Sequence, residues 1–247
     1  MNIDFNNITT VWLDLDDTLI DFTTNARTAL EKMWHAETPL QHYFPSPQVW
    51  TERYENHNIA LWARYNVGGI SRDYLRVQRF LLPLSESGMP SNEAEHLARR
   101  YDTLYLDYLA REKALMPGAM DLLHFLRAKG KRTGCLSNGF KDVQFRKIHN
   151  AGLDPWIDLV VLSDDIGINK PDRRIFDYAM SQTGEPDPSR HMMIGDNPQT
   201  DVSGALGAGW TAIWYHPERA FPGVPCPAGA FEISSLYMLM DSPDIRR

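Results

Sequence analysis

The apolar and polar positions of this chain divide it into stretches of two different periods. Thr10, Val11, Trp12 and Leu13 form a short apolar, β-favouring run, and Asp14, Asp16, Asp17 and Thr18 follow at once. The run reads as a buried strand that ends in carboxylates. From residue 21 to about 113 the period is helical. Apolar side chains recur at helical spacing at Ala29, Leu30, Met33, Trp34; Tyr54, Ile59, Leu61, Trp62, Tyr65; Tyr74, Leu75, Val77, Phe80, Leu81; and Leu97, Tyr101, Leu104, Tyr105, Tyr108. Pro39, Pro45, Pro47, Gly68-Gly69, Pro83 and Gly88-Met89-Pro90 punctuate that stretch, which predicts four or five helices and no strand between them.

Beyond Met116-Pro117-Gly118 the pattern changes to strands alternating with helices. Strands are expected at 132–136, 157–162, 191–194 and 210–215, and helices at 117–129, 143–150 and around Ile175, Phe176, Ala179 and Met180. A further helix of small residues (Ser203, Gly204, Ala205, Gly207, Ala208) follows the fourth strand, suited to close packing on a sheet. The tail from 231 to 240 reads as a short helix starting near Ser234-Ser235, and the loop 217–227 holds four prolines. Such alternation predicts an α/β fold with a doubly wound parallel sheet and right-handed crossovers. The expected domains are an α/β core of residues 1–20 and 114–247 with an all-helical insert at 21–113.

Composition narrows the partners. A chain of 247 residues with 43% hydrophobic content can bury a large core. Its 25 Lys and Arg against 32 Asp and Glu give a formal charge of −7, which argues against a nucleic-acid polymer and requires locally placed cations for any anionic substrate. Cys135 and Cys226 lie in no motif spacing, so neither a disulfide framework nor a zinc site is expected, and a reducing cytoplasmic setting is the default. Asp4 stands where a basic leader would be, and no apolar run reaches the roughly 18 residues of a membrane span, so neither signal peptide nor membrane anchor is expected. Oligomeric state has no signature here.

Candidate chemistry gathers at four strand ends: Asp14 and Asp16; Ser137 and Asn138; Lys170 in the loop after the third strand; and Asp196 with Asp201. Parallel strands place their C-terminal ends on one edge, so these residues can share a crevice. Carboxylates, a lysine and hydroxyl or amide groups suit Mg²⁺ and phosphate: the cation takes one or two carboxylates and keeps phosphate oxygens in other positions, and lysine offers a point charge. Each motif has a plainer meaning. Asp16-Asp17-Thr18 is good helix-capping chemistry, Ser137-Asn138-Gly139 a common turn, Lys170 before Pro171 a loop lysine, Asp196-Asn197-Pro198 a cap, and Asp201 a first-turn acid. Four such coincidences in order are improbable.

Together Asp14-Leu15-Asp16-Asp17-Thr18, Ser137-Asn138, Lys170-Pro171 and Gly195-Asp196 with Asp201 resemble the four ordered motifs of the haloacid dehalogenase superfamily, and the helical insert resembles its cap domain of the first type. The resemblance implies a Rossmann-like core and a phosphatase. Asp14 would be the nucleophile that forms an aspartyl-phosphate and a Mg²⁺ ligand. Asp16 would protonate the leaving oxygen, then activate water, with its backbone carbonyl on the metal. Asp196 would complete the metal ligands, and Asp201 would orient Lys170 or stand in the outer shell. Ser137, Asn138 and Lys170 would hold the phosphate, and Thr18 would steady the loop through hydroxyl bonds. An acid at Asp16 favours phosphatase over true dehalogenase, since the dehalogenases of the superfamily lack it and need no metal.

The stretches 136–140 and 162–179 look most like the 5'-nucleotidase branch, whose members act on pyrimidine and non-canonical nucleoside monophosphates. The expected substrate is therefore a small phosphorylated metabolite, a nucleoside 5'-monophosphate first. Phosphoglycolate or a sugar phosphate is the alternative, and a non-catalytic binding protein on the same scaffold a third reading. In the insert, Trp62 or Tyr65, with Phe22, are candidates to stack on a base, and Arg64, Arg72 or Arg76 to meet phosphate, against the commoner meaning of such aromatics as helical core.

Overall fold

The structure is a computed structural model, and it describes residues 5–217 and 223–240. Asp4 and residues 218–222 of the proline-rich loop lie outside the described residues. In chain order the elements are β1 (Thr10–Leu13), α1 (Phe22–Ala36), α2 (Thr38–Tyr43), α3 (Pro47–Asn66), α4 (Arg72–Glu86), α5 (Ser91–Leu109), α6 (Ala119–Ala128), β2 (Arg132–Ser137), α7 (Lys141–Asn150), β3 (Leu159–Leu162), α8 (Ser163–Ile166), α9 (Arg173–Ser181), β4 (His191–Gly195), α10 (Gly204–Gly207), β5 (Thr211–Tyr215), β6 (Phe231–Ile233) and α11 (Tyr237–Met240). Two compact units result, one of residues 1–22 and 114–247 and the other of residues 23–113.

The first unit holds a six-stranded sheet in the order β3-β2-β1-β4-β5-β6, with every pairing parallel. Its strands are apolar on both faces because helices cover both. Val11, Leu13, Cys135, Met192, Ile194 and Ile213 face one layer, where Leu122, Leu123, Leu126, Ile148 and Leu239 pack. Trp12, Leu136, Val161, Met193 and Trp214 face the other, against Ile175, Phe176, Ala179, Val202 and Ala205. Gly134 lies beside Trp12 on β1, where a Cβ would collide with the indole, so the tryptophan is accommodated by an absent side chain.

Two elements depart from the expected pattern. Pro198–Ser203 forms a π-helical turn, with Val202 N–H bonded to the Asn197 carbonyl, so the small-residue helix is reduced to one turn, α10. Residues 231–233 form a sixth strand, β6, where only a helix was expected, and the helix α11 begins after Ser235. Three residues with no alternation of their own carry too little period to announce a strand; β5 supplies their partner.

The second unit is all helical. Ser46 accepts from Val49 N at 3.3 Å ahead of Pro47 and starts α3, and Ser71 accepts from Tyr74 N at 3.2 Å and starts α4. Pro83 does not end α4, which runs on to Glu86, although the proline has no N–H to offer the Arg79 carbonyl one turn back. The core is aromatic: Phe80 lies 4.9 Å from Tyr54, 5.7 Å from Tyr105 and 6.3 Å from Trp50, ring centre to ring centre. Buried Arg79 bonds Asp102 at 2.5 Å, and Arg76 reaches the same carboxylate at 2.6 Å. No helix of the described residues is long and apolar enough to cross a membrane.

His191 marks the end of the sheet away from the carboxylates. Its Nδ1 accepts from Trp12 Nε1 at 3.3 Å, its Nε2 faces the Glu185 carbonyl at 3.0 Å, and Trp210 stacks on it at 5.1 Å. Burial pushes its pKa below the ordinary value, outweighing the pull of Glu185 and Asp187. The folded chain therefore binds fewer protons here than the unfolded chain, and stability is lost as pH falls below about 6.5, the unperturbed histidine value. The fall in Tm between pH 7 and pH 5 is expected to be smaller in His191→Gln than in wild type, whatever the offset at pH 7; equal slopes in thermal scans would remove His191 from the acid response.

Candidate active site

In a sheet of this order the chain leaves β1 toward β2 and β3 on one side and returns as β4 on the other. The crossovers diverge between β1 and β4, which opens a crevice beyond their C-terminal ends. Asp14 follows β1 and Asp196 follows β4, so the two sit side by side at that point. The Asp14 N–H extends the pairing by bonding to Ile194 O at 3.0 Å. Asp201 reaches the same place from the π-helical turn, where its Oδ2 accepts from Asn197 N at 3.0 Å. Gly195 makes room for it: a Cβ there would overlap the Asp201 carboxylate. The ligand oxygens of Asp14, Asp196 and Asp201 lie within 4.8 Å of one another.

Lys170 enters from the loop after α8. Its ammonium donates to Asp14 Oδ1 at 2.6 Å, to Asp201 Oδ1 at 2.7 Å and to the Leu136 carbonyl at 2.6 Å, so all three N–H groups are used. The side chain is 2% exposed, and its pKa is raised because the two carboxylates outweigh the cost of burial. One ammonium does not neutralise three acids. Burial, opposed by Lys170 but aided by Asp201 and Asp16, lifts Asp14 to about 7, and burial with Asp201, Asp14 and Asp17 lifts Asp196 well above the carboxylate range. An all-oxygen set under such repulsion fits a hard divalent cation such as Mg²⁺.

Asp16 stands apart from this cluster. Its Oδ1 accepts from Lys147 Nζ at 2.7 Å and its Oδ2 from Gln144 Nε2 at 2.9 Å, both on α7. Gln144 Nε2 also donates to Ser137 Oγ at 2.8 Å, and Gly139 N reaches the same hydroxyl at 3.0 Å. Lys147 and Gln144 are residues that the motifs did not reveal. Val143, Gln144, Lys147 and Ile148 share one buried face of α7, and polar side chains on an apolar face were the available signal.

The Asn138 side chain, expected at the phosphate, bonds the Lys170 backbone: its Oδ1 accepts from Lys170 N at 2.7 Å and its Nδ2 donates to Lys170 O at 3.0 Å. A bidentate amide of this kind fixes the loop that carries the lysine. Thr18 was expected to hold the acidic loop by hydroxyl bonds, yet its Oγ1 is buried with no hydrogen-bond partner. Backbone bonds close the turn instead, from Asp17 N to Ile20 O at 2.7 Å and from Leu19 N and Ile20 N to Leu15 O. Asp17 takes the left-handed φ of 56° that this turn needs, a conformation Asp tolerates better than most residues.

Among the insert residues considered for substrate, Arg76 is bound to Asp102 and Arg64 lies over the Tyr74 ring at 5.8 Å. Trp62 and Tyr65 meet edge to face at 5.4 Å and are half-buried.

A family model described as haloacid dehalogenase-like hydrolase matches residues 8–209. The pyrimidine 5'-nucleotidase YjjG of Escherichia coli is 31% identical over 93% of this chain and 95% of its own length. A phosphoserine phosphatase of Thermus thermophilus is 32% identical over 82% of this chain and 86% of its own. Among solved structures, the HAD-hydrolase YfnB of Bacillus subtilis, bound to magnesium, superposes with a TM-score of 0.80 at 26% identity, covering 94% of this chain and 96% of that one.

Removing the lysine leaves two buried carboxylates facing each other. Lys170→Met is expected to lower the unfolding free energy by about 3 to 5 kcal/mol at neutral pH. The deficit should shrink on acidification, when Asp14, already raised to about 7, takes a proton. Urea unfolding at two pH values measures both; a deficit that grows at low pH would contradict the charge account.

Proposed function

This chain belongs to the haloacid dehalogenase-like hydrolase family, and on that premise we propose that it is a Mg²⁺-dependent phosphomonoester hydrolase acting on a small phosphorylated metabolite. The observation that carries the reading is the meeting of Asp14, Asp196 and Asp201 with Lys170 at the point between β1 and β4, beside a separately held Asp16.

Asp14 attacks phosphorus through a carboxylate oxygen. As the new P–O bond forms, the bond to the leaving oxygen breaks and that oxygen takes a proton from Asp16, giving the free alcohol and an aspartyl-phosphate. A water molecule then gives its proton to Asp16 and attacks the same phosphorus. The bond to Asp14 breaks, inorganic phosphate leaves, and both aspartates return to their starting states. Lys170 keeps positive charge beside Asp14 as the anionic ester approaches. Ser137 offers its hydroxyl to a phosphoryl oxygen, and Asn138 serves by clamping the backbone of Lys170. Asp14, Asp196 and the Asp16 carbonyl would hold Mg²⁺, with Asp201 beside them; when bound, the cation neutralises charge on the transferring phosphoryl group.

For the substrate we favour a nucleoside 5'-monophosphate with a pyrimidine or non-canonical base. The support is the likeness of residues 136–140 and 162–179 to the nucleotidase branch and the YjjG relative, which spans nearly the whole chain. A phosphoserine phosphatase of similar identity keeps other small esters as the second reading. The helical unit of residues 23–113 is proposed as the cap that selects among them, and the reducing cytoplasm as the setting.

Two measurements test this. Hydrolysis of 4-nitrophenyl phosphate should require added Mg²⁺, vanish with chelator and fall by at least about 10³-fold in Asp14→Asn; full activity in that variant, or indifference to chelator, would overturn the mechanism. Across nucleotides, phosphoserine, phosphoglycolate and sugar phosphates, kcat/KM should be highest for a nucleoside monophosphate. A sugar phosphate in first place would overturn the nucleotide reading and leave the phosphatase standing.

A further inference from the structure

Asp16 lies two residues from Asp14, yet its carboxylate does not join the cluster that Asp14 forms with Asp196 and Asp201. Both of its oxygens are engaged elsewhere, Oδ1 by Lys147 and Oδ2 by Gln144. These donors come from one helix and lie three residues apart, so the turn of α7 presents them together. Neither is a surface accident. Gln144 is fully buried, and Gly139 must lack a side chain because a Cβ would overlap the Gln144 amide. The Lys147 side chain is 6% exposed, and its ammonium lies over the Phe22 ring, 4.5 Å from its centre. A cation is thus fixed between an aromatic face and a single carboxylate.

We propose that Lys147, assisted by Gln144, is a positioning residue that holds the Asp16 carboxylate out of the cation cluster and reserves it for proton transfer to and from the leaving oxygen and water. The inference rests on the phosphatase reading above and deepens it. Asp14, Asp16, Asp196 and Asp201 sit within a few residues of the β1 and β4 ends, with Asp17 next to Asp16. Two donors on Asp16 divide the set: three carboxylates converge with Lys170, and the fourth keeps its place. Gln144 extends the arrangement to Ser137. That hydroxyl accepts from Gln144 Nε2 and Gly139 N, which fills its lone pairs, so its own proton is the group left to meet a phosphoryl oxygen.

Two esters of similar shape and different leaving group separate positioning from packing. Phenyl phosphate needs a proton on its departing oxygen; 2,4-dinitrophenyl phosphate departs as a stable phenolate and needs none. The measure is kcat/KM, which reports phosphoryl transfer to Asp14 before water attacks. In Lys147→Met it should fall about 10- to 100-fold on phenyl phosphate, the usual cost of losing an outer supporting group, and less than about threefold on the dinitrophenyl ester. Lys147→Arg should recover most of the phenyl phosphate rate, and the retained dinitrophenyl activity shows that the variants are folded. Equal losses on the two esters, no loss on either, or no rescue by arginine would overturn the role of Lys147. Full activity of Asp14→Asn on the dinitrophenyl ester, or wild-type protein inert toward both, would instead overturn the phosphatase reading and the inference with it.

Discussion

The tightest constraint in this molecule is the charge balance around one buried ammonium. Lys170 Nζ has three donors and gives them to Asp14, Asp201 and the Leu136 carbonyl. Without it, two carboxylates would face each other in a region of low dielectric, where neither could remain ionised at modest cost. Local geometry follows from holding that contact. Asn138 grips both backbone groups of Lys170, Gly195 stays small beside Asp201, and a π-helical turn carries Asp201 back toward the sheet. A regular helix after β4 would have moved that carboxylate along its axis. The irregular turn and the buried ion pair therefore belong to one solution.

Sheet order decides why these groups can meet at all. Asp14 and Asp196 are far apart in sequence but end adjacent parallel strands, and the crossovers leave that edge uncovered. Residues on β2 and its following helix then complete the surroundings. The Ser137 hydroxyl lies at the end of β2, and α7 carries Gln144 and Lys147 to Asp16. Acids of one type thus acquire different environments from different neighbours. Asp14, bonded to Lys170 but buried among other acids, is raised to about 7, and Asp196, buried beside Asp201, Asp14 and Asp17, is raised well above the carboxylate range.

The helical unit has its own polar centre, independent of this one. Arg79 is buried among Tyr54, Phe80 and Tyr105 and is balanced by Asp102, which also receives Arg76. The pairing engages Arg76, one of the cations singled out in the sequence for phosphate, with a carboxylate of its own unit. Arg64 and Tyr74 form a second such pairing at the surface.

Much of this was legible in the sequence, and the divide between legible and hidden has a physical basis. Strand and helix periods announced five of the six strands among the described residues, a helical insert of four or five helices and the parallel doubly wound class, because burial of one stripe or two faces leaves a local imprint. Asp14, Lys170, Asp196 and Asp201 could be singled out because clustered charge at strand ends is costly without a compensating role. β6 stayed hidden because its three residues become a strand only by pairing with β5. The Thr18 hydroxyl was expected to bond and does not, and the bond of Asn138 to Lys170 was not foreseen, because a side-chain amide or hydroxyl does not reveal its partner; the path of the Lys170 loop and the closed turn at Leu15–Ile20 decide that. Gln144 and Lys147 looked like ordinary helix residues for the same reason. Sequence by itself determined which residues were chemically expensive, since that cost is a property of the side chain and its neighbours along the chain; only the tertiary structure decided which expensive groups offset one another, since that depends on distances the sheet creates.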